Sequence, residues 1–310
     1  MGLTILEWFE DGDHGNPMPE LPEVETVRRG LEACIGGAGI LRVEILRADL
    51  RTPVDADALR RMEGASFVSF RRRGKYLVGD VSSGLSLIVH LGMSGRLLLR
   101  PSGEELHKHD HVRWILDNGL ELRFRDPRRF GSVLVAPTAS VLQSPPLAGL
   151  GIEPLDSAFT PAVLSRLLAS SRQTMKSFLL DQTRVAGIGN IYANEILYRA
   201  GLHPSQRASE LSERQIERLH ESIVNTLREA IEQGGTTIRD YQDPNGQLGW
   251  FSLRLAVYHR EGEPCPRCGA PIERLRSAGR STFFCPNCQT LCPPQGEEHP
   301  AGDPTFPHRR

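Results

Sequence analysis

Apolar and polar residues alternate through most of residues 40–136. The alternation is carried by Leu41-Arg-Val-Glu-Ile-Leu, Ser66-Phe-Val-Ser-Phe, Tyr76-Leu-Val, Leu85-Ser-Leu-Ile-Val, Arg96-Leu-Leu-Leu, His111-Val-Arg-Trp-Ile-Leu, Leu120-Glu-Leu-Arg-Phe and Ser132-Val-Leu-Val. Period-two stretches broken by turn signals such as Asp117-Asn118-Gly119 predict short antiparallel strands in a sandwich or barrel-like domain. On either side the period lengthens. Val24, Val27 and Leu31 share one face of a helix predicted over residues 22–35, closed by Gly36-Gly37. Pro22 suits its first position, and Glu23 and Glu25 in its first turn favour the helix dipole. A short helix is predicted from Asp57 to Met62, and residues 161–233 read as helical with a break at Val185-Ala-Gly-Ile-Gly-Asn190.

The remaining stretches have little periodicity. Residues 137–160 are rich in Pro, Ser, Ala and Gly and read as a linker. Residues 234–249 form a Gly/Asp/Asn-rich loop, and the Pro-rich residues 289–310 have the composition of a disordered tail. Residues 1–17 carry Glu7, Glu10, Asp11 and Asp13 with no Lys or Arg, so they are not a secretory signal. No apolar run reaches the roughly 18 residues a membrane span needs. The expected architecture is α+β: an N-terminal β-sandwich over 18–136 with a flanking helix, a helical unit over 161–250, and a cysteine module over 251–288.

The formal charge of −1 becomes +3 once the four acids of residues 1–17 are set aside. That is too mild for a polycation, so nucleic-acid binding would rest on local clusters. Four of the six cysteines form Cys265-x-x-Cys268 and Cys285-x-x-Cys288, 16 residues apart. This spacing predicts one structural zinc ion held by four thiolates, with no open coordination position. Cys34 and Cys292 are left over. Between the knuckles, Ile272–Arg276 and Ser281–Phe284 read as a hairpin that presents Arg280 near its turn.

Several motifs have both a bland and a chemical reading. Arg71-Arg-Arg-Gly-Lys75 is either a solvated basic face or a phosphate-binding cluster. The Gly-containing turn before Asn190 is either a helical hairpin with Asn190 as N-cap, or a helix start whose backbone N–H groups receive phosphate. Met93 and Phe130 are either core residues or wedges, and Arg128 is either an ion-pair partner or a base-reading group. Arg280 is either a solvated turn residue or a DNA contact.

Met18-Pro-Glu-Leu-Pro-Glu-Val-Glu25 closely resembles the start of bacterial formamidopyrimidine-DNA glycosylases. Lys75, His90-Leu-Gly-Met93-Ser-Gly, His109-Asp-His111, Asp126-Pro-Arg128-Arg-Phe130-Gly, the 180–195 segment and Gly279-Arg280-Ser-Thr-Phe-Phe-Cys285 resemble further motifs of that family, in the same order. The resemblance covers about residues 18–288. It implies a helix-two-turn-helix, a zinc ribbon and a monomer that binds damaged duplex DNA in the bacterial cytoplasm. It implies excision of oxidised purines such as 8-oxoguanine and formamidopyrimidines, followed by β,δ-elimination. By resemblance, Pro19 is the nucleophile and Glu20 the proton shuttle, Lys75, Asn190 and Arg280 meet phosphates, and His109 is a DNA contact. Met93 and Phe130 fill the gap left by the flipped base, and Arg128 meets the orphaned partner. Glu23, with Thr237 and Tyr241 of a lesion-capping loop, holds the lesion.

The chemistry requires a free proline, because a secondary amine attacks a sugar carbon and an amide nitrogen does not. Translation from Met18, or removal of residues 1–17, is therefore expected. Two other readings stay open. One is an endonuclease VIII-type glycosylase acting on oxidised pyrimidines, against which Leu21 argues, because that branch usually has Gly there. The other is a non-catalytic DNA-binding protein with Pro19 blocked.

Overall fold

The computed structural model describes residues 18–234, 255–277 and 279–291. All eight alternating stretches form strands: β1 (Ile40–Ile45), β2 (Phe67–Arg73), β3 (Tyr76–Val81), β4 (Leu85–His90), β5 (Arg96–Pro101), β6 (Asp110–Leu116), β7 (Leu120–Arg125) and β8 (Ser132–Pro137). They make two antiparallel four-stranded sheets, ordered β1-β6-β7-β5 and β2-β3-β4-β8. Trp114, Phe124, Leu122, Phe67, Leu87 and Val89 fill the space between the sheets.

Helix α1 (Leu21–Ile35) closes one side, and its Val24, Val27, Leu31 and Ile35 join that sandwich core. It begins one residue earlier than its proline suggests. Glu20 is the N-cap, with Glu23 accepting from the Glu20 N–H at 2.9 Å, so Pro22 is the second helical residue. Helix α2 (Ala56–Arg60) is capped by Asp55.

The helical unit contains α3 (Pro161–Ala169), α4 (Met175–Leu180), α5 (Asn190–Ala200) and α6 (Glu213–Glu232). Nine of the eleven residues of α5 are buried, because α4, α6 and the C-terminal hairpin all pack on it. That hairpin pairs β9 (Glu273–Ser277) with β10 (Arg280–Phe284). Phe283, Ile272 and Cys285 belong to the same apolar core as Tyr192, Ile196 and Phe178.

Leu21 does not follow the rest of α1. It is fully buried in the helical core, and its N–H donates to the Gly187 carbonyl at 3.0 Å. One turn of helix thus bridges the two cores, which places the arm Pro19-Glu20 at their junction. Residues 137–160 are a packed connection. A 3₁₀ turn spans Thr138–Gln143, and Val141, Leu147 and Phe159 are buried. Glu153 fastens this connection to the β2–β3 turn: it accepts from Arg73 at 3.0 Å and from the Gly74 N–H at 2.5 Å, and it forms an ion pair with Arg72 at 2.7 Å. The run Arg71–Arg73 is thus an ion-paired strap in place of a solvated face. Arg71 also pairs with Asp80 at 2.8 Å.

The expectations for residues 1–17 and for the tail beyond residue 291 lie outside the described residues. The same holds for the loop at 234–249 after Gly234, with its Thr237 and Tyr241. The tail boundary expected at 289 falls too early. Gln289 is fully buried, donating to the Leu202 carbonyl and accepting from the Cys285 N–H, both at 2.9 Å. Among the described residues, no helix is long and apolar enough to cross a membrane.

Candidate active site

The junction of the two cores is built around the Glu20 carboxylate, which is 2% exposed. It accepts from the N–H groups of Gly189 (2.6 Å), Ile191 (2.8 Å) and Tyr192 (3.4 Å). These are the first-turn donors of α5, which a helix leaves without intrahelical partners. The carboxylate can enter because residue 189 is glycine; a Cβ there would overlap the Glu20 side chain. The helix start read from sequence as a phosphate site is therefore taken by a carboxylate of this chain. Gly189, not Asn190, is the N-cap residue.

Glu23 is fully buried beside it and accepts from the Tyr192 hydroxyl at 2.6 Å. Lys75, at the β2–β3 turn, is 6% exposed. Burial pushes the Glu20 carboxyl above its ordinary range; the Lys75 charge and the α5 N–H groups oppose that rise. Burial likewise holds the Lys75 amine below its ordinary range, with Glu20 opposing. Both groups move towards their neutral forms, which is what a site that exchanges protons near neutral pH requires. Pro19 is half-buried immediately before this pair.

Lys176 on α4 belongs to the same cluster, although sequence reasoning passed over it. It is fully buried, donates to the Asn190 carbonyl at 3.2 Å, and burial holds its amine down to about 7. A lysine inside the apolar stretch Met175-Lys-Ser-Phe-Leu-Leu180 was the available signal. Tyr192 and Glu195 were also missed. The Glu195 carboxylate accepts from the N–H groups of Ala256, Val257 and Tyr258 at 2.9–3.0 Å and so anchors the hairpin module to α5. His90 lies tilted against Tyr76 with ring centroids 4.7 Å apart, and burial with the neighbouring Lys75 and Arg51 charges holds it at about 4.

Asn190 links α5 to the hairpin, its side-chain amide donating to the Ser281 carbonyl at 3.2 Å. That contact lies next to Arg280, which is exposed at the start of β10. The Arg280 charge reaches the cluster, being one of those that lower both Lys75 and Lys176. Met93, Arg128 and Phe130 stand elsewhere, on two loops at one end of the sandwich. Met93 is half-buried, Arg128 is exposed, and Phe130 is 42% exposed. An apolar ring so open to water is not a core residue. The Arg128 guanidinium lies over it, 4.9 Å from its centroid. His109 is half-buried beside His107, with rings 5.3 Å apart.

Cys265, Cys268, Cys285 and Cys288 bring their sulfurs within 4.8 Å of one another. The Cys265–Cys288 pair at 3.9 Å and the Cys268–Cys285 pair at 3.5 Å are too long for disulfides. They match the edge of about 3.8 Å that a tetrahedron with Zn–S bonds of about 2.3 Å would have. N–H groups of Arg267 and Cys288 point at the sulfurs of Cys265 and Cys285, both at 3.4 Å, as thiolate ligands require. The residues fit a closed structural zinc site.

Three family models match the chain: the formamidopyrimidine-DNA glycosylase N-terminal domain over residues 18–133, the formamidopyrimidine-DNA glycosylase H2TH domain over 150–242, and the zinc finger found in FPG and IleRS over 262–291. The formamidopyrimidine-DNA glycosylase of Methylococcus capsulatus is 48% identical over 273 residues, covering 88% of this chain and all of that protein. Among solved structures, the Lactococcus lactis Fpg bound to N7-benzyl-Fapy-dG-containing DNA superposes with a TM-score of 0.80 at 38% identity, covering 88% of this chain and all of that one. The same Lactococcus lactis protein bound to DNA containing an oxidised pyrimidine superposes with a TM-score of 0.79 at 37% identity, over the same shares.

Proposed function

This chain belongs to the formamidopyrimidine-DNA glycosylase family and is a DNA glycosylase of damaged DNA; from that membership and the buried Glu20–Lys75 junction we propose a bifunctional enzyme that releases oxidised purines and then cleaves the strand as an AP lyase.

The nucleophile is the Pro19 nitrogen in a chain that begins there. An α-amino group titrates at about 7.7–8.0, so part of it is unprotonated at neutral pH. Its lone pair attacks C1′ of the extruded nucleotide and expels the base, leaving a cationic Schiff base. Glu20, with its raised affinity for protons, gives a proton to the opening sugar and later takes one back. The cationic imine acidifies the neighbouring sugar hydrogens, and β- then δ-elimination follow. Glu23 holds the lesion. Lys75, Asn190 and Arg280 clamp the flanking phosphates, and His109 meets the backbone. Met93 and Phe130 fill the vacated stack, while Arg128 hydrogen-bonds the partner base. Thr237 and Tyr241 close over the lesion from the capping loop. One structural zinc ion holds the ribbon. The enzyme acts as a monomer on duplex DNA in the cytoplasm.

The observation that carries this reading is the Glu20 carboxylate. It is buried at the foot of the Pro19 arm, raised in pKa, and fixed by three helix N–H groups. A Pro19 start has support from relatives whose whole length is matched by 88% of this chain, and from a family match that starts at residue 18.

The test is borohydride trapping of protein translated from Met18, on duplexes carrying 8-oxoguanine or thymine glycol. Covalent capture on 8-oxoguanine is expected, with loss of capture in Pro19→Gly. Glu20→Gln should slow base release by about 10²–10⁴-fold. Undiminished turnover by Pro19→Gly would refute the nucleophile. Faster capture on thymine glycol would favour the oxidised-pyrimidine reading, which the Lactococcus lactis complex with an oxidised pyrimidine keeps in view.

A further inference from the structure

Two loops leave the sandwich side by side. One joins β4 to β5 and carries Leu91-Gly92-Met93-Ser94-Gly95; the other joins β7 to β8 and carries Asp126 to Gly131. Because β4 pairs with β8 and β5 pairs with β7, both loops cross from one sheet to the other at the same end of the sandwich. Their backbones touch. Gly92 has a φ of +63°, and a Cβ there would lie 2.6 Å from the Gly131 nitrogen and the Phe130 carbonyl carbon. Only glycine allows that approach.

The loops are also joined by side chains. The Ser94 hydroxyl donates to Asp126 Oδ1 at 2.5 Å and accepts from the Arg128 N–H at 3.1 Å. The other Asp126 oxygen accepts from the Gly131 N–H at 2.8 Å. Asp126 is fully buried, and its carbonyl accepts from His111 Nε2 at 2.7 Å. One carboxylate and one hydroxyl therefore fix the backbone on both sides of Phe130 and hold it against the loop of Met93. The Arg128–Phe130 contact completes the unit.

We propose that Ser94 and Asp126 are positioning residues that lock Met93, Arg128 and Phe130 into one rigid reading head, so that wedging the stack and inspecting the partner base happen as a single event. This rests on the reading that Met93 and Phe130 wedge and Arg128 meets the partner base. Without the Ser94 hydroxyl, the Arg128 N–H and an Asp126 oxygen each lose a partner. The wedge could then enter without Arg128 in register, and recognition of the partner would uncouple from insertion.

The test compares wild type with Ser94→Ala, Ser94→Thr and Arg128→Ala, all started at Met18. The readout is the ratio of single-turnover excision rates for 8-oxoguanine opposite cytosine and opposite adenine. A merely structural defect lowers both rates alike and cancels in the ratio. Ser94→Ala should shrink the ratio by about tenfold, the equivalent of one charge-assisted hydrogen bond. Ser94→Thr, which keeps the hydroxyl, should retain it. Lyase cleavage of a preformed abasic site in single-stranded DNA, where no partner exists, should be unchanged in Ser94→Ala. An unchanged ratio in Ser94→Ala, with a collapsed ratio in Arg128→Ala, would overturn the clip and leave the reading head intact. An unchanged ratio in Arg128→Ala would remove the reading beneath it. Should Ser94→Ala give no folded protein, Asp126→Asn, of equal size, is read by the same ratio.

Discussion

Lys176 stands on a short helix beside Met175, Phe178 and Leu179, all fully buried, and its amine donates to the backbone carbonyl of Asn190. Burial disfavours the charge; Glu20 and Glu195 support it, and Arg280 opposes it. The amine accordingly titrates at about 7 in the fold, against an ordinary 10.5. The sign of the pH effect follows. Between these two values the unfolded chain holds a proton that the folded chain has lost, so stability rises with pH across that window. Below it both states are charged and the full cost of burial remains. Lys176→Met should therefore be more stable than wild type near pH 6.5. Its advantage should shrink by about 1.4 kcal/mol per pH unit from pH 7 towards pH 10.5. Urea unfolding of both proteins at pH 6.5 and 9.5 checks this. A constant difference would mean that Lys176 keeps its ordinary affinity for protons.

At the scale of elements, the strands were legible and the joints were not. Each strand has one face in the sandwich core, so alternation survives in the sequence and all eight can be read from it. Helix α5 is buried on nearly every face, so no amphipathic stripe marks it or the roles of its polar residues. The zinc cysteines were found because their motif and spacing are local. Lys176, Tyr192 and Glu195 act through partners 14 to 169 residues away, which no local pattern reveals. Arg72 and Arg73 of β2 read as surface charge because Glu153, the partner they share, is some 80 residues distant. Glu195 gives the sharpest consequence. Its carboxylate caps three successive N–H groups at the start of the ribbon module. Glu195→Ala would leave three donors unpaired, two of them in fully sheltered bonds, at a cost of about 3 kcal/mol or more. The loss should be local. Hydrogen exchange should accelerate in residues 255–291 and stay slow in β2–β4, whose core is separate. Equal acceleration in both would show that the ribbon and the sandwich unfold as one unit.

For the whole molecule, the two cores meet at the Glu20 junction, and binding of a polyanion depends on the charges that face it. A formal charge of −1 predicts no attraction to DNA, yet the Arg280 charge is close enough to Lys75 and to Lys176 to disfavour the proton on each. Local field, not net charge, governs steering. The two lysines are buried among glutamates and partly neutralised by them, whereas Arg280 is exposed on the ribbon. Arg280 is thus the exposed member of the cluster, the one that an approaching phosphate meets first. Each phosphate neutralised contributes about −0.9 to the slope of log K against log salt concentration on duplex DNA. Arg280→Ala should flatten that slope by about one and weaken binding to lesion-bearing and intact duplex alike. The exposure of Arg280 implies little cost in stability, so thermal unfolding should hardly move. Fluorescence-anisotropy titrations over a range of salt concentrations decide the matter. A slope unchanged by Arg280→Ala would place the phosphate clamp elsewhere and make Arg280 a field-setting group that adds to the burial disfavouring the charged forms of Lys75 and Lys176.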